Sequence, residues 1–571
     1  MRRDLWAREA IWMDESKLSN ELPDELYPKL NNEQIARLAQ VGTRRSVPAG
    51  ESLFDQGTIR RHFYVVLQGA IEAVLPSSEG EVRLRLHQPG DFTGELDMLW
   101  GRPSLVSART VEQTEVVELD PATLRNLLQT EPELGEFVLR AFVRRRMAMI
   151  SRAMGDVVLI GSRNSADTLR LKEFLAHNGH PFTYSEVGQD GPAEQLLQRF
   201  NFGPEDVPVL IGHDESPMRN PTNAELAARL GLNAEINGER VYDLIVVGAG
   251  PAGLAAAVYG ASEGLSVLVL EAIAPGGQAG SSSRIENYLG FPLGISGQEL
   301  AGRAFVQAEK FGAQIAVARR AAAIRCGSTP FNIECDRERP VRGQAVVIAC
   351  GAEYRKLQVA NLARFEAAGV YYGATPMEAQ LCKDEDVIVV GAGNSAGQAA
   401  MFLSTIAKHV YILVRASGLA ESMSQYLIRR IEECSDITLR VRTEIVRLDG
   451  ARNLESVTWR NLETGETETH SIRYIFSMTG ANPNTAWLKN CVALDSGGFI
   501  KTGADLAADD MDRAGWRLGR DPHLFETSVP GVFAVGDIRS GSVKRVASAV
   551  GEGSVVVQLV HRVLADREGR S

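Results

Sequence analysis

Residues 242–271, YDLIVVGAGPAGLAAAVYGASEGLSVLVLE, constrain this chain more than any other stretch. An apolar run at 244–247 ends in Gly248, Gly250 and Gly253; an alanine-rich helical pattern follows, then a second apolar run at 267–270 closed by Glu271. Strand, glycine turn, helix and strand in this order form a βαβ unit with the G-x-G-x-x-G spacing of a dinucleotide site. Gly248 permits the tight turn, Gly250 lets the backbone approach a pyrophosphate, and Gly253 lets the helix lie against the strand, so that the helix N-terminal amides face the phosphates. Glu271, 23 positions beyond Gly248, is placed for a carboxylate that accepts from ribose hydroxyls.

A chain of 571 residues is too long for a single core, and its length predicts about three or four domains. A net charge of −11 argues against a general binder of nucleic acid or of membrane surfaces. Residues 1–20 contain no uninterrupted apolar core, so no signal peptide is expected, and no charge-free apolar run is long enough to span a bilayer. The six cysteines all lie at or beyond Cys326, with no C-x-x-C and no cysteine–histidine cluster. That pattern predicts no metal site and reduced, mostly buried thiols in a cytoplasmic protein.

A second fingerprint, VIVVGAGNSAGQAAMFL, starts at Val387. Gly391 and Gly393 form its turn, Asn394 and Ser395 open its helix, and Ala396 replaces the third glycine. Its second strand ends in Arg415 where the first unit has Glu271, and a guanidinium there favours the 2′-phosphate of NADPH over the free hydroxyl of NADH. Arg429 and Arg430 are candidate helpers on a neighbouring helix.

Between and after the fingerprints come Gly276-Gly277-Gln278, Ile285-Glu286-Asn287-Tyr288, Val347-Ile348-Ala349-Cys350-Gly351 and Gly536-Asp537, then Lys544-Arg545-Val546-Ala547. In this order the last 320 or so residues resemble the low-molecular-weight thioredoxin reductases, members of the pyridine nucleotide-disulfide oxidoreductase superfamily. The resemblance implies two Rossmann-like three-layer domains, one for FAD from 240–355 and 480–571, and one for NADPH from the inserted 356–479. It assigns Gly248, Gly250, Gly253, Glu271, Gly277, Gln278, Asn287, Gly536, Asp537, Arg545, Val546 and Ala547 to FAD, and Gly391, Gly393, Asn394, Ser395, Ala396 and Arg415 to NADPH. Asp537 would bond the ribityl chain, and the helix begun by residues 545–547 would face the flavin pyrimidine and stabilise negative charge on it.

The N-terminal 235 residues are built differently. Residues 1–29 form an extension. Short strands with glycine turns over ~30–125, followed by a helical stretch to 154, predict an antiparallel β-roll with helices. Gly50, Gly57, Gly69 and the run Phe92-Thr93-Gly94-Glu95-Leu96 give this part a resemblance to cyclic-nucleotide-binding domains. In that family a glutamate, here Glu95, meets the ribose and an arginine meets the cyclic phosphate; Ser104 stands at the arginine position, leaving Arg102 as the nearest substitute. Losing a bidentate guanidinium favours a silent or altered-ligand domain. Residues 155–235 follow a β-α-β-α-β order that looks like a thioredoxin or glutaredoxin fold, with Val207-Pro208 at its cis-proline position. No cysteine accompanies it, so thiol exchange is excluded and a docking or spacer role is left; Ser165 reads as a helix N-cap.

The family pattern breaks where electrons should leave. Thioredoxin reductases of this type carry Cys-Ala-Thr-Cys-Asp just before the second fingerprint, whereas this chain has Gly373-Ala374-Thr375-Pro376-Met377. Gly373 and Pro376 replace the dithiol and Met377 the acid, so no residue there is assigned as catalytic; Cys382 is a single thiol six residues past Pro376. The expectation is a thioredoxin reductase-like FAD-dependent NAD(P)H oxidoreductase. Hydride passes from NADPH to FAD, then electrons go to a small redox protein such as a ferredoxin or flavodoxin, to a quinone or to oxygen. Rival readings are an FAD- and NADPH-binding sensor with little turnover, a scaffold docking a partner through the thioredoxin-like module, and a thioredoxin-disulfide reductase using a single or partner-supplied cysteine. A cyclic nucleotide or another effector at the N-terminal domain and the homodimer habitual in the family complete the expected partners; nucleic acid and membrane are not among them.

Overall fold

The computed structural model describes residues 26–567 apart from 60–61, 78–79, 95–97, 99–102, 152–156, 164, 181, 189–190, 213–215, 234–235, 237, 283, 337, 452 and 489–490. Its residues group into two compact units, Met1–Ser162 with Gly179–Glu235 and Arg163–Asn178 with Ile236–Ser571.

In the first unit the alternating apolar strands close into a β-roll. One antiparallel sheet runs Thr43–Val47, Thr114–Leu119, Phe63–Gln68; the other runs Ser52–Phe54, Ser107–Thr110, Ile71–Ser77, Gly80–His87. Val47, Phe54, Tyr64, Val66, Ile71 and Val116 fill the space between them. Helices Asn32–Val41, Pro121–Thr130 and Pro132–Ser151 complete this part. The same unit contains a four-stranded mixed sheet in which Val158–Gly161 lies parallel to Thr183–Glu186 and antiparallel to Val209–Ile211. The Val207–Pro208 peptide is cis. Pro217–Arg219 adds an edge strand beyond the expected β-α-β-α-β order; three residues beginning with proline carry no alternation to betray a strand.

The second unit starts with helix α1, Ala166–His177, capped by the Ser165 hydroxyl, which accepts from the Thr168 amide at 3.3 Å. The sequence reading keeps this helix within a 155–235 module, whereas its residues group with the second unit. Leu169 of α1 packs against the apolar cluster that contains Tyr371, Phe476 and Met478.

The first fingerprint follows as β1 (Val241–Val247), α2 (Pro251–Ser262) and β2 (Val267–Leu270). β1 is parallel to β2 on one side and to β3 (Glu338–Ile348) on the other. Both faces of these strands are covered, which is why they read as unbroken apolar runs rather than alternating ones. The chain then enters a second parallel sheet through α3 (Pro376–Leu381), β4 (Asp386–Val390), α4 (Asn394–Leu403), β5 (His409–Leu413) and α5 (Gln425–Glu433). That sheet is ordered Val370–Tyr371, Tyr474–Ser477, β4, β5, Ile437–Arg440, all parallel. The chain returns to the first sheet with β6 (Val532–Ala534), parallel to β3, and ends in α6 (Val546–Arg567). The two crossings between the sheets, Ala352–Tyr354 and Ala481–Pro483, pair antiparallel with each other.

The expected reduced state holds for Cys335, Cys350, Cys382 and Cys434 but not for the remaining pair. Cys326 and Cys491 form a disulfide with Cα atoms 6.1 Å apart. They are separated by 165 positions, so only the packing of Cys326, just past the strand Ala321–Arg325, beside the loop holding Cys491 brings them together. Among the described residues no helix is long and apolar enough to cross a membrane, and no group of histidine, cysteine, aspartate and glutamate could hold a metal ion.

Candidate functional site

Backbone sterics account for the first fingerprint before any ligand is considered. Gly248 has φ +105°, and a Cβ there would lie 2.5 Å from the Ala349 carbonyl oxygen. A Cβ at Gly253 would fall 1.8 Å from the Gly248 carbonyl oxygen, so α2 can sit on the turn only without one. Gly250 is different: its conformation is extended, and an added Cβ would meet only Gly277 Cα, at 3.9 Å. Gly250 caps α2 with no side-chain hydrogen bond. An open face bordered by glycine, in front of helix amides that no side chain satisfies, fits a pyrophosphate.

Gly276 donates to the Ala249 carbonyl at 2.7 Å, which lays the Gly276-Gly277-Gln278 segment along this cradle. The Gln278 amide donates to the Ala352 carbonyl, while Asn287 is exposed on the loop beyond. Glu271 is buried, and its two carboxylate oxygens accept from the amides of Ala249 at 2.7 Å and Ile273 at 2.8 Å. Burial pushes its carboxyl above the ordinary value and these amides pull it back.

The C-terminal motif returns to this sheet. Gly536 and Asp537 lie just beyond β6; Asp537 is partly buried, and burial pushes its carboxyl up against the lowering effect of Lys544. Arg545, Val546 and Ala547 stand at the start of α6. Sequence reasoning missed Glu552 of α6, whose carboxylate accepts from the Gly536 amide at 2.7 Å and pairs with Arg539 at 2.6 Å. It fixes the Gly-Asp turn from the helix side. A glutamate six residues into a helix gives no signal of that kind.

In the second fingerprint Gly391 has φ +147°, and a Cβ would lie 2.6 Å from the Met478 carbonyl oxygen. Ala396 is buried against this turn, its methyl 3.1 Å from that same position, so the third site tolerates alanine. Gly393 caps α4 without a side-chain bond and has only the Ser422 carbonyl oxygen within reach of a Cβ, at 4.0 Å, which again leaves an open cradle at a helix N-terminus. The Asn394 side-chain oxygen accepts from the Ser424 amide at 2.8 Å and from its hydroxyl at 3.0 Å, tying the turn to the start of α5. Ser395 bonds to the Tyr354 hydroxyl. Arg415 is exposed past the end of β5. Arg430 is engaged elsewhere, bonded to Glu286 at 2.6 Å, and Arg429 is exposed.

A cavity of 510 Å³ opens between these features, walled by α1 and by residues of both parallel-sheet regions. Gln278, Tyr354, Tyr371, Gly373, Thr375 and Ser395 line it. Gly373 therefore faces the cavity without a thiol. Cys382, the single thiol considered for a redox role, is fully buried, donates to the Ala379 carbonyl at 3.3 Å and is pushed up to about 12 by burial. Cys350 contacts the Asn484 carbonyl at 3.4 Å and is pushed up to about 11 by burial.

Two carboxyls at this cavity were not singled out from sequence. Glu378 is buried and accepts from the Thr375 amide at 2.8 Å and from its hydroxyl. Glu173 of α1 reaches the Glu378 carboxyl and hydrogen-bonds it. The Thr-x-x-Glu spacing at 375–378 is a capping-box pattern that sequence alone could have flagged; the approach of Glu173 has no sequence signal.

In the first unit Gly94 has φ +99°, and its carbonyl accepts from Arg145 at 2.9 Å. Glu95 and Arg102 lie outside the described residues. Ser104, at the expected arginine position, is buried with its hydroxyl donating to the Val106 carbonyl at 2.7 Å.

A family model described as pyridine nucleotide-disulphide oxidoreductase matches residues 242–553, and a cyclic nucleotide-binding domain model matches 44–131. The thioredoxin reductase of Bacillus subtilis is 32% identical over 329 residues, 57% of this chain and 96% of that protein. That of Ureaplasma parvum is 32% identical over 318 residues, 56% of this chain and 95% of its own length. The crystal structure of Lactococcus lactis thioredoxin reductase in its FR conformation superposes with a TM-score of 0.51 at 27% identity, covering 57% of this chain and 99% of that one.

Proposed function

Because the chain belongs to the pyridine nucleotide-disulphide oxidoreductase family, as an FAD-dependent NAD(P)H oxidoreductase of the thioredoxin reductase type, we propose that it delivers electrons to an acceptor other than a dithiol of its own. The observation that carries this reading is Gly373 and Pro376 at the two cysteine positions, with the nearest thiol, Cys382, buried in the core. A thiol held protonated at neutral pH is neither a nucleophile nor an electron relay.

When bound, FAD and NADPH supply hydride transfer from nicotinamide C4 to flavin N5. The chain's own part is to hold and orient them. The turn at Gly248 and Gly250, bordered by Gly277, would take the FAD pyrophosphate, with Glu271 on the adenosine ribose. Gln278, Asn287, Gly536, Asp537 and the start of α6 at Arg545, Val546 and Ala547 would contact the remainder. Gly391, Gly393, Asn394, Ser395 and Ala396 would take NADPH. Arg415 alone would meet its 2′-phosphate, so the preference for NADPH over NADH is expected to be modest.

The match to a cyclic nucleotide-binding domain supports a second, regulatory element in the same protein. Ser104 in the phosphate-binding position favours an effector other than a cyclic phosphate, and a homodimer is the expected assembly.

Anaerobic mixing of the yellow protein with NADPH should bleach the flavin band quickly, and addition of one acceptor class should restore it. Steady reduction of a thioredoxin disulfide would refute the assignment of the acceptor. Slow bleaching with no acceptor at all would favour a sensor.

A further inference from the structure

The cavity beside Gly373 contains a proton-bearing pair that the reading above leaves without a task. Glu173 projects from α1 into the same space as Thr375, Tyr371 and Tyr354, and its carboxyl hydrogen-bonds that of Glu378. Two hydrogen-bonded carboxyls cannot both be ionised, so one of them carries a proton. Glu378 accepts from both the amide and the hydroxyl of Thr375. Those bonds stabilise a carboxylate and leave the proton on Glu173.

The cavity is lined in part by Gln278 and Ser395, the residues assigned above to FAD and NADPH, so a small molecule held there would lie against the bound cofactors. α1 forms one wall. Tyrosines 354, 371 and 372 supply aromatic lining. These observations point to a small, neutral, planar acceptor whose reduction consumes a proton as well as a hydride.

We propose that Glu173 is the acid that protonates a quinone bound in this cavity, held in position by Glu378. The proposal rests on the reading that electrons leave to something other than an on-chain dithiol. The quinone takes a hydride equivalent, drawn from NADPH, and one proton from Glu173. The carboxyl O–H bond breaks, a phenolic O–H bond forms, and Glu173 regains its proton from water. The sum is NADPH, a proton and quinone giving NADP⁺ and hydroquinone.

Burial, reinforced by the charge and hydrogen bond of Glu378, pushes Glu173 up to about 8, so the acid is charged with its proton at neutral pH. Other ionisable groups lining the cavity are His177 and Arg170 of α1, Glu353 of the first crossing, Lys356 just past it, Glu366, Arg284, and the phenols of Tyr354, Tyr371 and Tyr372. The His177 imidazole is itself pushed down by burial, which keeps it neutral and unable to replace Glu173 as the acid.

The experiment uses the FAD-loaded full chain with 1,4-benzoquinone and, separately, a thioredoxin disulfide. Reoxidation of the reduced wild type by benzoquinone should fall above about pH 8. Glu173→Gln should slow it about 100-fold and abolish the basic limb. Reoxidation is read on enzyme already fully reduced, so the rate of bleaching does not enter it, and Glu173→Asp should recover part of the rate. Equal reoxidation by wild type and Glu173→Gln would overturn the acid while leaving the non-dithiol reading intact. Reoxidation by the thioredoxin disulfide alone would overturn both. Infrared difference spectra of the unreacted wild type provide a readout without turnover: a protonated carboxyl band that disappears near pH 8 is expected, and its absence between pH 6 and 9 would overturn the proposal.

Discussion

Gly253 and Glu173 mark the two extremes of what single residues do here. At Gly253 a methyl group would sit 1.8 Å from a backbone oxygen, and the surrounding residues Ala252, Leu254, Val246 and Val247 are buried, which leaves the turn little room to give way. Gly253→Ala is expected to cost about 1–3 kcal/mol as an overpacked contact and to lower flavin content; absorbance at the flavin band and the unfolding midpoint check both. Glu173 carries a linkage prediction. Its folded value is raised from 4.5 to about 8 by burial and by Glu378. Its contribution to stability is therefore fully present below the ordinary carboxyl value and is lost as pH rises through about 8. The melting temperature of the wild type relative to Glu173→Gln should decline over that window and level off beyond it. A difference that does not vary with pH would contradict the carboxyl pair. The cradle glycines were legible in sequence because their spacing is local. Glu173 was not, because its partner lies 205 positions away and hydrogen bonds across such distances leave no period.

At the scale of elements, the parallel strands and their helices were readable from apolar runs and glycine turns, and the structure returns them in the expected order. Short pieces were not readable. The strand Pro217–Arg219 and the crossing segments pair with their neighbours but are too short to carry a hydrophobic pattern of their own. The segment leading into β6 shows the same dependence on distant contacts. Glu526 is fully buried and accepts from Arg520 at 2.7 and 3.1 Å and from the amides of His523 at 3.0 Å and Gly531 at 2.9 Å. Glu526→Gln keeps the shape but leaves the Arg520 guanidinium and one amide without their charged partner. The expected loss is about 3–5 kcal/mol, measurable as a fall in the denaturant midpoint, with Glu526→Asp also destabilised because its shorter arm cannot span both sides.

At the scale of the molecule, composition indicated several domains and a charge unsuited to nucleic acid, but it misjudged one covalent feature. The Cys326–Cys491 disulfide closes a loop containing the whole second parallel sheet. Cys491→Ser should lower stability by about 2–5 kcal/mol by the chain-entropy argument, and a reducing agent should shift the wild type to the variant's midpoint without altering the variant. Thiols this far apart in sequence are paired only by the fold, which is why a cysteine count alone favoured the reduced state.

The paired crossings at Ala352–Tyr354 and Ala481–Pro483 place the entry and exit of the second sheet side by side, with Tyr354 opposite Ala481. Facing residues of an antiparallel pair have Cα atoms about 5 Å apart, so a turn of two residues can bridge them. The region between is thus a detachable cassette: its removal closes the remaining chain as a hairpin and tears no strand from the FAD-side sheet. A chain in which Asn-Gly joins Tyr354 to Ala481 should fold, take up FAD and remain yellow while losing all reduction by NADPH. A colourless or insoluble product would mean that the remaining chain also needs the packing of α1 on the second sheet and the Arg430–Glu286 pair.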